Sequence, residues 1–427
     1  MDLCIKDAHI VTGKSDGMYI GTGCIGINEG RIAYIGTAEV EADMTIDAKS
    51  MIAMPGLFNA HTHTSMILMR NYVADKSLED WLAKSIFPIE DKLTAEYIKN
   101  ASILAAGEMI KGGTVGFLDM YYHVDETAQT ALETGMKANI SLGILTSGED
   151  GQDYEKAKAQ SQRFHRKYNG SGEGNIRTSL EVHSVYLYDE EGLRHSADFA
   201  GNNGLMVHAH LHETRTEVEN SVKNYGMRPI EVFENCGLLD VPVTAAHCVH
   251  MNDNDLAIAK ERSVRPVHCP SSNLFLASGF ARITRMQELG IPIALGTDGA
   301  ASNNDLDMFG EMHLAGLIHK GNSGDATVVN ASSVIRMATK SGARAMGFND
   351  SGTLEVGMDA DIILVDTTEL HNTPMLDPVN ALIYSAKASD VDTVIVRGKI
   401  LMKGRELKTI DEEKARYNVN KCIEKLY

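Results

Sequence analysis

The feature that most constrains this chain is an alternation. From about residue 53 to residue 347, strand-like runs and helical runs follow one another in eight successive units. The first strand runs from apolar Met51-Ile52-Ala53-Met54 past Pro55-Gly56, a turn or bulge, to His61-Thr62-His63. Further strands are expected at 114–120, 139–145, 176–184, 205–214, 243–247, 265–269 and 291–296, each with helical periodicity after it. The helix expected over 94–111 is amphipathic and stops at Gly112-Gly113. An open doubly wound sheet rarely runs to eight such units, so the pattern predicts an α/β fold with a closed TIM-type (β/α)₈ barrel. Both ends of the chain are β-rich, with strands expected near 5–11, 31–35, 354–357, 360–365 and 393–396. They predict a small discontinuous β-sandwich domain, residues 1–52 with 353–427, flanking a catalytic barrel at 53–352. The segment 412–426 reads as a closing helix.

One motif is a decoy. Gly21-Thr22-Gly23-Cys24-Ile25-Gly26 matches the dinucleotide fingerprint by letter. That fingerprint needs a helix whose N-terminus faces a pyrophosphate, whereas the residues that follow here read as a hairpin.

A barrel concentrates its chemistry at the C-terminal ends of its strands. In this chain polar residues fall there repeatedly. His61 and His63 end the first strand and share one face, because side chains in a strand alternate. His183 ends the fourth strand, His210 the fifth, His247 the sixth and Asp298 the eighth. One such histidine is ordinarily packing. Several, with a carboxylate, converging on one mouth point to a metal centre. His208 lies one layer deeper than His210 and is expected to be a hydrogen-bonded core histidine. His212 is expected at the pocket edge. Cys248 and Cys269 adjoin these residues without an evident paired base, which argues against a thiol nucleophile.

Composition excludes other classes. The formal net charge of −18 does not suit a nucleic-acid or anionic-membrane surface. The six cysteines contain no Cys-x-x-Cys, the N-terminus has no secretory pattern, and no apolar run is long enough to span a membrane. A cytoplasmic protein follows, acting on a small molecule rather than on nucleic acid or a membrane. A homo-oligomer is compatible with this composition.

The strand-end set resembles the amidohydrolase superfamily, over essentially the whole chain. Pro88-Ile89-Glu90-Asp91, His210-Leu211-His212-Glu213-Thr214, Ala246-His247-Cys248-Val249-His250, Cys269-Pro270-Ser271-Ser272-Asn273-Leu274 and the run 296–304 resemble its adenosine-type deaminase branch, which acts on S-adenosylhomocysteine, 5′-methylthioadenosine and relatives. The resemblance implies that His61, His63, His210 and Asp298 bind one divalent metal ion, Zn²⁺ ahead of Fe²⁺. It implies Glu213 as general acid/base, His247 as the group that polarises the metal-bound water or steadies the developing charge, Glu90 as acceptor for ribose hydroxyls and His183 against the substrate. Trp81 and Ser302 are the remaining substrate-side candidates. Binuclear branches add a lysine on the fourth strand, and 176–183 contains none. Some deaminases of the branch that accept S-adenosylhomocysteine carry arginines just after the third strand. An ungapped comparison puts Leu142 and Asp153 there, and the loop 148–153 is acidic. The implied activity is hydrolytic deamination of an adenosine-like nucleoside, with Asp298 also able to hold a proton of the water. Its rivals are a hydrolase of another N-heterocycle, such as guanine or a triazine, and a catalytically inactive scaffold on the same fold.

Overall fold

The computed structural model describes residues 1–144 and 151–427. Two sheets organise it. The first takes β1 (Leu3–Val11), β2 (Tyr19–Asn28), β3 (Arg31–Gly36), β4 (Met44–Asp47) and β5 (Met51–Pro55) from the start of the chain. The second is the barrel: β6 (Leu57–Thr62), β7 (Thr114–Met120), β8 (Lys137–Ser141), β9 (Ile176–Val182), β10 (Val207–Leu211), β11 (Val243–His247), β12 (Arg265–His268) and β13 (Ala294–Leu295). The chain then returns to the first sheet with β14 (Ile362–Asp366), β15 (Val391–Val396), β16 (Lys399–Lys403) and β17 (Glu406–Leu407). That sheet is mixed, in the order β17-β16-β15-β14-β5-β1-β2-β3, with β4 also paired to β1. It closes over its own core of Ile5, Ile25, Ile32, Ile46, Ile362 and Ile395. The glycine-rich decoy is indeed the β2–β3 hairpin.

The crossing between sheets falls at Gly56, since β5 pairs with β14 and β6 with β7. A Cβ at Gly56 would stand 2.2 Å from Val115, so glycine is required where the chain dives under the barrel wall.

The barrel strands are parallel and in sequence order from β6 to β13. Its last strand is short. After Gly296, whose amide still donates to the His268 carbonyl of β12, the backbone leaves the ladder, because the Thr297 amide donates to Asn59 Oδ1 rather than to a neighbouring strand. Closure comes instead from the Asp298 amide donating to the His61 carbonyl at 3.0 Å and Thr62 Oγ1 donating to the Asp298 carbonyl. A Cβ at Gly296 would come within 2.8 Å of the His61 backbone, so the two ends of the barrel meet only through a glycine.

Besides the last strand, which spans 294–295 against the expected 291–296, three expectations need revision. The stretch 354–357 is not a strand: the amides of Leu354 and Gly357 make single bonds to the carbonyls of Thr12 and Ile32, and Gly357 has φ +93°. The third barrel strand starts earlier than expected, at Lys137, and residue 145 lies outside the described residues. The fifth strand is only Val207–Leu211, because helix Arg215–Tyr225 follows at once, capped by Thr214. Helix Ala95–Lys111, capped by Thr94, and helix Glu412–Leu426 stand as expected. No helix among the described residues is long and apolar enough to cross a membrane.

Candidate active site

The sequence-predicted ligands meet at the C-terminal end of the barrel. One potential ligand atom from each of His61, His63, His210 and Asp298 lies within 4.8 Å of the others, and all four residues are buried. His61 Nε2 and His63 Nε2 stand 3.3 and 3.2 Å from Asp298 Oδ1, and His210 Nε2 stands 3.3 Å from His63 Nε2.

The far side of each ring explains its orientation. His63 Nδ1 donates to the Met120 carbonyl and His210 Nδ1 to the His183 carbonyl. A carbonyl can only accept, so each of these rings carries its proton on Nδ1 and turns an Nε2 lone pair inward. His61 is oriented by a longer chain. The Asn139 amide nitrogen donates to the Met346 carbonyl, which leaves Asn139 Oδ1 to accept from Ser179 Oγ at 2.8 Å. Ser179 Oγ then accepts from Ser141, Ser141 Oγ from His208 Nδ1, and His208 Nε2 from His61 Nδ1, at 2.9, 2.8 and 2.8 Å. Burial, and then the neighbouring imidazoles, hold His208 well below the usual histidine range, so it is neutral and this proton order is the one that satisfies every donor. His61 Nε2 is thus left with a lone pair, buried and without a hydrogen-bond partner.

Three lone pairs and a carboxylate oxygen therefore face one point. The carboxylate is held ionised. Burial opposes its charge, but the adjoining His61 and His63 rings keep Asp298 well below the usual carboxylate range. The cluster calls for positive charge, and this donor set fits a divalent cation with nitrogen and oxygen preference. Asp298 Oδ2 accepts from Ser272 and Ser302 hydroxyls at 2.6 and 2.8 Å, so Ser302 reaches the site through this carboxylate. Asp298 and His247 adopt φ of +61° and +70°, a region that non-glycine residues enter only when their surroundings compel it.

Beside the cluster opens a cavity of about 620 Å³. His63, His210, Asp298, Glu213, His247, His183, Glu90, Trp81 and Ser302 all line it; only His61, behind the others, does not. Glu213 is buried, with its backbone amide fixed by Glu217 Oε2 at 2.6 Å. His247 Nε2 stands 3.9 Å from Glu213 Oε2, and its Nδ1 is held by Asn273 Oδ1. Glu90 sits where Tyr121 and Tyr122 donate to its two oxygens at 2.7 and 3.5 Å; burial raises its pKa. Trp81 is buried and leads into a π-helical turn, Leu82–Ile86, that carries the chain to Glu90. Such a turn recurs at functional sites. His183 lies against the His210 ring, centroids 4.5 Å apart, and burial drops its pKa to about 3.

One expectation fails. His212 is not at the pocket edge: it is fully buried, has φ +55° and accepts from the Ile230 amide. The strand ends at Leu211, so alternation no longer governs the next residue. Cys248 and Cys269 are fully buried, and burial raises both thiols. Leu142 lines the cavity, while 148–150 of the acidic loop lie outside the described residues. Sequence reasoning missed Glu181, Tyr121, Tyr122 and Asn273. Glu181 was findable, being of the same strand parity as His183.

Residues 52–401 match the amidohydrolase family model. The chain is 46% identical to a 5-methylthioadenosine/S-adenosylhomocysteine deaminase of Acetivibrio thermocellus, covering all of both chains. It is 40% identical to a 5′-deoxyadenosine deaminase of Methanosarcina barkeri, over 100% of this chain and 98% of the relative. A crystal structure of an adenosine deaminase from Xanthomonas campestris with bound zinc superposes with a TM-score of 0.94 at 31% identity, covering 100% of this chain and 98% of the other.

Proposed function

This chain belongs to the amidohydrolase family, and from that premise and its barrel mouth we propose that it is a metal-dependent hydrolytic deaminase of adenosine-like nucleosides. The observation that carries the reading is the convergence of three imidazole lone pairs and Asp298 at one wall of a cavity that also holds Glu213. His61, His63, His210 and Asp298 would hold one divalent ion, Zn²⁺ ahead of Fe²⁺. A bound ion of this kind lowers the pKa of water from 15.7 to about 7 and so supplies hydroxide at neutral pH.

The side chains do the rest. Glu213 delivers a proton to the ring nitrogen beside the amino-bearing carbon, which makes that carbon electrophilic. Water adds there, and Asp298 can take up its proton. The adduct's hydroxyl proton passes through Glu213 to the leaving amine, ammonia departs as the C=O forms, the proton on Asp298 recharges Glu213, and the product is an inosine-type nucleoside. His247, anchored by Asn273, steadies the charge that develops beside Glu213. Glu90, held by two tyrosines, accepts from ribose hydroxyls. His183 and Trp81 enclose the substrate, and Ser302 supports the site through Asp298. Among adenosine-like substrates, a neutral 5′ group is favoured over the carboxylate of S-adenosylhomocysteine. Leu142 has no donor to offer an anion, and a missing charge-assisted contact costs about 1.5–3 kcal/mol, or ten- to hundred-fold.

The test is ammonia release from adenosine, 5′-deoxyadenosine, 5′-methylthioadenosine, S-adenosylhomocysteine, adenine and guanine. The nucleosides should be turned over and the free bases not. Glu213→Gln should keep the fold and the metal and lower the rate by at least about 10²-fold, the scale for a general acid/base. Turnover of a free base without its nucleoside overturns the reading.

A further inference from the structure

Glu181 has no part in the chemistry above, yet it faces the same cavity. It lies on β9, two residues before His183, so both side chains point into the barrel mouth. Its neighbours on the preceding strand's exit are Leu142 and Gly143: a Cβ on Gly143 would stand 3.6 Å from Glu181 Cβ. Tyr122 and Tyr188 both feel its charge. The contrast with the other cavity carboxylates is in their partners. Glu90 is held by two tyrosine hydroxyls and Asp298 by two serines. Among the described residues, none donates a hydrogen bond to the Glu181 carboxylate or pairs with it. Asp125, also on the cavity wall, is paired with Lys167, and Glu126 follows it. Among the described lining residues there is no lysine or arginine.

A carboxylate in a cavity wall without a partner is a vacancy for a donor. A ligand that brings one gains a charge-assisted contact, and a ligand that brings an anion meets repulsion. Resting on the deaminase reading, we propose that Glu181 is a specificity-determining residue that recognises a protonated amine on the 5′ substituent of the nucleoside. The substrate class is then an adenosine-like nucleoside with an ammonium, and no carboxylate, beyond the 5′ carbon. Burial first, and then the neighbouring Asp119 and Glu90, lift the Glu181 pKa to about 7, against the pull of His63. An arriving cation reverses that penalty by giving the ionised form its missing partner. The ammonium of S-adenosylhomocysteine is not expected to rescue that substrate, because its carboxylate sits on the same carbon and enters the same field.

The experiment uses three 5′-thioether nucleosides that differ only in the thioether's tail: methyl, neutral; 3-aminopropyl, cationic; and homocysteinyl, zwitterionic. The kcat/KM of each is measured on the metal-loaded full chain. Ratios within one preparation do not depend on how much of the protein is folded. The aminopropyl compound should exceed the methyl compound by about tenfold or more, the scale of one charge-assisted contact, and exceed the homocysteinyl compound by more. In Glu181→Gln the aminopropyl-to-methyl ratio should fall toward one, whatever the absolute rates. A wild-type ratio of one or less, with the methyl compound still turned over, overturns this inference and leaves the deaminase reading standing. A ratio that survives Glu181→Gln overturns the assignment to Glu181. If none of the three nucleosides is deaminated, the proposed function falls and takes this inference with it.

Discussion

Two groups of polar side chains are buried at opposite ends of the barrel, and they differ in how they are satisfied. At the N-terminal end, Lys137 opens β8 with its side chain only 1% exposed. Its ammonium donates to Ser351 Oγ, Asp359 Oδ2 and Asp361 Oδ2 at 2.6, 2.7 and 2.7 Å. Three donors meet three acceptors, two of them carboxylates, and the cluster ties the barrel to the segment that leads into β14. At the C-terminal end, three lone pairs and a carboxylate face one another with no donor between them, and His61 Nε2 has no hydrogen-bond partner. An ammonium whose three protons all have acceptors is what a structural cluster looks like, although Asp359 Oδ1 itself makes only longer ion contacts, with Arg31 and Arg397. An open set is stable only with something added, and here the addition must be positive. Burial alone does not separate structure from function; the donor count does.

The sharpest way to break the contrast is at the mouth. His61→Ala should lose both metal and turnover, a fall larger than the about 10²–10⁴-fold typical of a lost acid/base group. Elemental analysis alongside the ammonia assay checks both. Full activity after exhaustive chelation, or two ions per chain in active protein, would sink the one-ion reading.

At the other end the prediction inverts. Lys137→Met leaves Asp359 and Asp361 without their ammonium. Removing one member of a buried ion pair costs about 3–5 kcal/mol, and the low end is expected here because Asp361 Oδ1 keeps the Arg397 amide and Asp359 stays 3.6 Å from Arg31. The denaturant midpoint should fall with an unchanged slope, while metal content and kcat/KM per bound metal stay within a few-fold. A variant that loses metal with its stability unchanged would mean that the two ends are not independent.

How far the sequence reveals these clusters depends on how local each one is. His61, His63, His210, His247 and Asp298 each stand at a strand end, so strand parity and the barrel rule bring them together without coordinates. The Asn139–Ser179–Ser141–His208 chain is not legible in that way. Its four polar residues are spread over three strands, indistinguishable from ordinary barrel filling until β8, β9 and β10 are set side by side. Strand parity places Glu181 on the same face as His183, but a lone glutamate in a strand signals little until the structure shows what surrounds it. His212 misled for a local reason, a left-handed backbone at the strand's last step. The short β13 was overestimated because a side chain, Asn59, replaces the ladder bond that would have continued it. The fold was legible because hydrophobic periodicity is local, whereas hydrogen-bond satisfaction is not.

The relay gives the smallest effect and the finest test of the comparison. His208 is buried like Lys137 and has both ring nitrogens satisfied, but one of its bonds runs to a proposed metal ligand. His208→Phe keeps an aromatic ring of similar size and removes the acceptor for His61 Nδ1. The His61 proton can then shift to Nε2, the atom that must offer a lone pair. Removing the partner that orients a metal-bound histidine typically costs 10–100-fold in metal affinity. The expected variant is folded, binds metal that much more weakly in a chelator competition, and recovers turnover when metal is added in excess. Ser141→Ala acts one link further out and should lower affinity by less, in the same direction. Equal affinity in His208→Phe and wild type would mean that Asp298 and the other two imidazoles fix the His61 tautomer without the relay.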